Sequence, residues 1–194
     1  MQDTIREAKR ALRNEVHARL KRMEAGQRIA ASAQARALLA AQALWQTAQW
    51  VLFFAPLPEE VDVWPLLTAA LSAGKNVALP RFVAETGSYE ARQIRDPGLD
   101  VQVGHFGIRE PNPRCARLSS NRLDLILVPG VAFDVQGHRL GRGKGYYDRL
   151  LRALDGARCG VAFDEQIVGE IPVTPDDARL DCILTPTRWI ELKR

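Results

Sequence analysis

Apolar residues recur every three or four positions at the start of the chain, at Ile5, Ala8, Leu12, Val16, Leu20 and Met23. That period predicts an amphipathic helix, and Thr4 with Glu7 has capping-box spacing at its beginning. Gly26 ends it, and an alanine-rich second helix is predicted from about Gln27 to Leu44. The pattern then changes. Trp50 to Phe54 is a short, wholly apolar run ended by Pro56 and Pro58, the mark of a buried strand. Asp62 is placed to cap a helix through Leu71, with Pro65 in its first turn and Gly74 after it.

Further strands are predicted at Asn76 to Pro80 and Ser88 to Ile94, followed by a loop-rich middle from Arg95 to Asn121. Leu123 to Pro129 (LDLILVP) is nearly continuously apolar, which predicts a central strand covered on both faces. A helix from about Tyr146 to Leu154 and strands at Arg158 to Phe163, Cys182 to Thr185 and Trp189 to Leu192 complete the chain. Strand–helix–strand alternation predicts an α/β fold: a mostly parallel sheet flanked by helices, Rossmann-like and three-layered, with an N-terminal helical pair. No repeat, low-complexity tract or linker interrupts it, so residues 1–194 read as a single domain.

The composition is that of an ordinary globular chain, 46% hydrophobic and 26% charged. A net charge of +4 suits anionic ligands but does not choose between small molecules and nucleic acid. Cys115, Cys159 and Cys182 lack CxxC spacing, and His17, His105 and His138 are scattered. Neither a disulfide framework nor a His-rich metal site is expected. No apolar run approaches the ~20 residues of a membrane span, and the first residues are charged where a signal peptide is apolar. A cytoplasmic location is the expectation.

The candidate chemistry lies in RLGRGKGYYDRLL, Arg139 to Leu151. Gly141, Gly143 and Gly145 allow backbone N–H groups to turn towards an anion, and Arg142 and Lys144 add charge that matches phosphate oxygens. A basic surface turn is the plainer alternative. The segment matches neither common nucleotide template: His138 stands at the first glycine position of a Walker loop, and Gly145 where its hydroxyl belongs. Tyr146 replaces the third glycine of a dinucleotide fingerprint. Asp148 reads equally as an ion-pair partner or as a carboxylate for the Mg²⁺ that accompanies a polyphosphate.

Other charges point the same way with less force. Arg6–Arg10 and Lys9–Arg13 are like-charged i, i+4 pairs, which cost a few tenths of a kcal/mol, at about that scale, unless an anion or acid lies between them. A solvated basic face is the ordinary reading; beside the glycine loop, Lys9 and Arg13 become candidates to close over a phosphate tail. Glu59 and Glu60 follow a buried strand, where α/β sheets place ligands. Asp176, Asp177 and Asp181 offer a second metal carboxylate, with Asp176 better placed to cap a turn.

The stretch LDLILVPGVAFDVQGHRLGRGKGYYDRLL resembles the signature region of the 5-formyltetrahydrofolate cyclo-ligase family, also called 5,10-methenyltetrahydrofolate synthetases. KRALR, LPEEVDV, NVALPR, GIREP and PDDARLD occur in the family's order, so the resemblance spans most of the chain. It implies an ATP- and Mg²⁺-dependent enzyme that closes 5-formyltetrahydrofolate to 5,10-methenyltetrahydrofolate, releasing ADP and phosphate. The formyl oxygen would take the γ-phosphate, and a folate nitrogen would then displace it.

Carried onto this chain, the resemblance implies that Lys9, Arg13 and the run Arg139, Leu140, Gly141, Arg142, Gly143, Lys144, Gly145, Tyr146 and Tyr147 hold the nucleotide. Arg142 and Lys144 would stabilise the transferring charge. Asp148 and Asp177 would carry Mg²⁺, with Asp181 in reserve. Ala55, Glu60 and Tyr146 would meet the folate, with Phe54 and the Gly107 to Pro111 loop as further walls. The chain departs from the family at Asp176-Asp177, where His-Asp is frequent, at Val63, where threonine is common, and at Pro56 and Pro58. The substrate is expected to be free or polyglutamylated folate, bound by a monomer without membrane or nucleic acid. Two other readings stay open: a different ATP-dependent ligase or kinase, and a nucleic-acid-binding protein using the basic helix and loop.

Overall fold

The computed structural model describes residues 2–192. The chain opens with α1 (Gln2–Lys21), α2 (Ala25–Ala40) and the short α3 (Ala43–Thr47). The single helix expected as far as Leu44 is thus broken after Ala40. Gln42 turns extended, and its side-chain amide donates to the Leu38 carbonyl, so the helix end is satisfied without glycine or proline. β1 (Trp50–Leu52), α4 (Trp64–Ser72), β2 (Asn76–Val83) and β3 (Ser88–Ile94) follow. Val63 takes the N-cap position of α4, and Asp62 still caps, its Oδ1 accepting from Trp64 N at 3.0 Å.

The stretch expected to be loop contains α5 (Pro97–Asp100) and an antiparallel hairpin of β4 (Val101–Val103) and β5 (Arg109–Pro111). β6 (Leu125–Val128) leads into β7 (Ala132–Asp134) and β8 (Arg139–Leu140), then α6 (Tyr146–Arg152), β9 (Ala157–Val161), β10 (Ile167–Val168), β11 (Cys182–Leu184) and β12 (Trp189–Glu191).

The main sheet has the order β12-β11-β9-β6-β1-β2-β3. β11, β9, β6, β1 and β2 are parallel, and antiparallel β12 and β3 close the two edges. β6 is central, as its apolar run predicts, and its residues alternate between two cores. Leu125 and Leu127 join Val16, Leu39 and Leu67 of α1, α2 and α4 on one face. Ile126 and Val128 join Leu150 and Leu151 of α6 on the other. Helices therefore cover both faces, giving the three-layer α/β arrangement.

The order of strands sets the ligand position. β1 connects through α4 to β2 on one side, whereas β6 leads through α6 to β9 on the other. The chain thus departs in opposite directions at the β1–β6 boundary, which leaves a crevice beyond the carboxyl ends of these two strands. A small sheet, β10-β7-β8, sits beside it. Its β7–β8 turn is organised by Asp134, a fully buried carboxylate that accepts the amides of Gln136, His138 and Ile171. That turn delivers Arg139 and the glycine loop to the crevice.

Candidate active site

The crevice holds a cavity of about 440 Å³. Phe54, Ala55, Leu57 and Glu60 come from the segment after β1, and Pro129 and Gly130 from the end of β6. Arg139, Gly141, Arg142, Lys144, Gly145, Tyr146, Tyr147 and Asp148 close it from the glycine loop and α6. Most residues expected at a site are therefore brought together around one cavity.

The loop's course depends on two glycines. Gly143 has φ of +97° and Gly145 of +65°, backbone that L side chains rarely adopt. A Cβ at Gly141 would lie 2.9 Å from Arg139 Nη1, so the loop also passes close against that guanidinium. Arg139 is buried; it donates to Asp148 Oδ1 at 2.7 Å and to the Pro129 carbonyl at 3.2 Å. It therefore ties β8, the end of β6 and the first turn of α6 into one frame. Leu140 packs in the core, and its carbonyl accepts the Val131 amide at 2.7 Å, so it anchors the loop without lining the cavity.

Arg142 reaches across the cavity mouth and donates to Glu59 Oε1 and Glu60 Oε1, both at 3.1 Å. Glu60 is mostly buried, and its Oε2 accepts the Leu57 amide at 3.0 Å. Burial raises its carboxyl pKa, and the Leu57 amide and Arg142 only partly oppose that. Lys144 is exposed and makes no side-chain hydrogen bond or ion pair among the described residues. The phenol of Tyr147 is pushed well above its ordinary value by burial, with the charge of Glu60 adding to it, so it stays protonated.

Lys9, Arg13 and Asp177 form a second cluster against the loop. Lys9 Nζ donates to Asp177 Oδ2 at 2.6 Å, and Arg13 Nε donates to the Gly141 carbonyl at 2.8 Å. The acid required between like-charged Lys9 and Arg13 is thus Asp177. Burial acts to raise the Asp177 pKa, but hydrogen bonds from Lys9 and the Thr174 amide outweigh it and hold the carboxyl below the usual range. Burial lowers the pKa of Arg13 against the attraction of Asp177. Asp176 instead pairs with Arg152 at 3.2 Å, and Asp181 accepts the Arg158 amide at the start of β9.

Sequence reasoning missed an aromatic wall. Phe82 and Tyr89 face each other across the β2–β3 ladder, with ring centroids 5.6 Å apart. Phe106, from the β4–β5 turn, lies 5.0 Å from Phe82, and Tyr146 lies 5.3 Å from it. Tyr89, Phe106 and Tyr146 line the cavity with Ile108, Arg109 and Glu110. The signal was the pairing of two strands across a turn, which alternation within either strand does not disclose. No serine, cysteine or histidine is among the lining residues. The arrangement offers an apolar slot with a buried carboxylate at one side and a cationic, glycine-rich loop at the other. It suits a planar heterocycle set beside a phosphate group.

Known proteins resemble the chain over most of its length. The model of the 5-formyltetrahydrofolate cyclo-ligase family matches residues 5–186. A 5-formyltetrahydrofolate cyclo-ligase of Mus musculus is 32% identical, over 93% of this chain and 95% of its own. One from Escherichia coli K12 is 32% identical, over 73% and 80%. The NMR structure of the Aquifex aeolicus 5,10-methenyltetrahydrofolate synthetase superposes with a TM-score of 0.84 and 34% identity, covering 96% of this chain and 93% of that one.

Proposed function

The chain belongs to the 5-formyltetrahydrofolate cyclo-ligase family, and on that premise we propose which of its residues hold nucleotide, metal and folate. The enzyme is an ATP-dependent ligase that converts 5-formyltetrahydrofolate to 5,10-methenyltetrahydrofolate. The observation that carries the residue assignment is Arg142. Its guanidinium joins the glycine loop to Glu60 across a single cavity, so phosphate site and heterocycle site are adjacent.

In this reading the pterin lies in the apolar slot beside Ala55 and Tyr146, and Glu60 accepts N–H donors from its edge. The formyl oxygen then faces the γ-phosphate of ATP held by Gly141, Gly143 and Gly145. Attack forms the O–P bond as the bond to ADP breaks. The neighbouring folate nitrogen adds to the activated formyl carbon and gives up its proton, and phosphate leaves with the formyl oxygen and can take that proton. No protein nucleophile is needed, and the work is positioning and charge stabilisation. Lys144, which has no acceptor among the described residues, and Arg142, on binding of substrate, meet the charge that builds on the γ-phosphate and on ADP. Arg13 holds the loop through the Gly141 carbonyl, and Lys9 and Arg13 meet the phosphate tail.

Mg²⁺ fits the donors present. It prefers one or two carboxylates plus substrate oxygens and water, so no closed cluster of side chains is called for. Asp148 lines the cavity and engages Arg139 through Oδ1, and Asp177 accepts from Lys9 and the Thr174 amide through Oδ2. These two would hold the ion, which supplies charge neutralisation on the phosphates. The nucleic-acid reading is disfavoured by the carboxylates of Glu60 and Asp148, which line the same cavity as the loop's cations and would repel a phosphate backbone laid across it.

The test is direct. Purified protein with ATP, Mg²⁺ and 5-formyltetrahydrofolate should generate methenyl-folate absorbance, one ADP per product. ATP turnover with another acceptor and none with this folate would favour a different ligase or kinase.

A further inference from the structure

Four cations line the cavity: Arg109, Arg139, Arg142 and Lys144. Arg139 is engaged by Asp148, and Arg142 by Glu59 and Glu60. Lys144 belongs to the glycine loop and is accounted for by phosphate. Arg109 is not accounted for. It lies on β5, away from that loop, is exposed, and has no hydrogen-bond acceptor or carboxylate partner for its side chain among the described residues.

Its position is nevertheless fixed. The Arg109 Cζ lies 3.6 Å from the centroid of the Trp64 ring, at the start of α4. A guanidinium is planar and its N–H bonds lie in that plane, so stacking on an indole holds it by one face while its donors stay free at the edge. The next residue secures the backbone: Glu110 is buried, ion-paired to Arg81 at 2.9 Å and accepting the Phe82 amide. Arg109 is thus a held, unpaired, planar cation at the rim of an aromatic slot.

The substrate supplies one anionic group that the rest of the site leaves unmatched. The triphosphate falls to the glycine loop, and the pterin and benzoyl rings are neutral. The glutamate end of the folate carries carboxylates, the partners that a guanidinium edge engages in pairs. We propose that Arg109, stacked on Trp64, is the anchor for the glutamate carboxylate of the folate. This rests on the cyclo-ligase reading and adds a specificity-determining residue to it. Because Arg109 is exposed, a longer polyglutamate tail would run outward past it into solvent.

The experiment compares 5-formyltetrahydrofolate with 5-formyltetrahydropteroate, the same molecule without glutamate, in the full chain with ATP and Mg²⁺. In the native enzyme the glutamate-bearing substrate should have the lower KM, by roughly tenfold or more, as expected for hydrogen bonds to a charged group. Arg109→Ala should raise the KM for the glutamate-bearing substrate by a similar factor and change that for the pteroate by less than twofold. Arg109→Lys should restore part of the difference, and Trp64→Leu, which removes the stack and leaves the charge, should lose part of it. Equal effects on both substrates, or an unchanged folate KM, would overturn the assignment. A rise in the KM for ATP instead would give Arg109 to the phosphates and overturn it as well. Absence of native turnover would count against the parent reading, whereas native turnover with an indifferent Arg109→Ala sinks this proposal alone. An unchanged melting temperature confirms that the exposed variants are folded.

Discussion

Arg139 donates to Asp148 Oδ1 at 2.7 Å, with the arginine side chain only 3% exposed. The carboxylate proposed for the metal is therefore not free to wander: a buried cation holds one of its oxygens, and the residue lines the cavity. Asp148→Asn keeps an oxygen for Arg139 but removes the charge that attracts Mg²⁺. The Mg²⁺ concentration for half-maximal ATP turnover should rise roughly tenfold, a loss of about 1.4 kcal/mol in metal binding. A magnesium titration that coincides with that of the native enzyme would count against metal ligation by Asp148.

Lys144→Ala removes a cation whose side chain has no hydrogen-bond or ion-pair partner among the described residues, on an exposed loop. Its loss should therefore spare the fold and strike the chemistry. The expected result is a fall in kcat of roughly 10²–10³-fold, the scale of removing one preorganised charge-stabilising donor, with the melting temperature unmoved. Turnover at the native rate would refute the assignment.

The Lys9–Asp177 pair ties the first helix to a loop 168 residues later, and both side chains are largely buried. Asp177→Asn should destabilise the protein by about 1–3 kcal/mol, since it leaves Lys9 without its charged acceptor. The pH dependence has a definite sign. The Asp177 carboxyl is held below its ordinary value of 3.8, so its stabilisation is fully present above that value and is lost as pH falls through the lower folded one. Urea midpoints of the native and variant proteins should differ by a constant amount from neutral pH down to about 4, and converge only in stronger acid.

The fold was legible where period and length agree. β6 declared itself by an uninterrupted apolar run, and α1 by its stripe of Leu12, Val16 and Leu20. β4, β5, β7, β8 and β10, at two or three residues each, are too short to show a period. The missed break in α2 has no glycine or proline to mark it; it is made by a Gln42 side chain. At the site, the glycine loop and Glu60 were legible because charge and glycine are rare next to buried strands. Tyr89 and Phe106 were not, because their placement depends on which strands pair and on where a turn from a separate hairpin comes to rest. Arg109 was legible only as part of a wall; its stacking on Trp64 joins elements 45 positions apart, between which the sequence shows no relation.

Glu60 links activity and stability in opposite directions. Burial holds its carboxyl above the ordinary value of 4.5, so the charged form needed to accept pterin N–H donors develops only at higher pH. The kcat/KM for folate should climb through a limb above pH 4.5, and Glu60→Gln should lose that limb while its folate KM rises about tenfold or more. For stability the sign reverses. A carboxyl whose pKa is raised by folding contributes its stabilisation below the unfolded value, and this is lost as pH rises through the folded one. Glu60→Gln, spared the cost of a buried charge, should therefore match or exceed the native protein in urea at neutral pH, and the difference should close as pH falls below about 4.5. A variant both inactive and markedly less stable at neutral pH would show that Glu60 serves the fold through Leu57 and Arg142 and not the substrate.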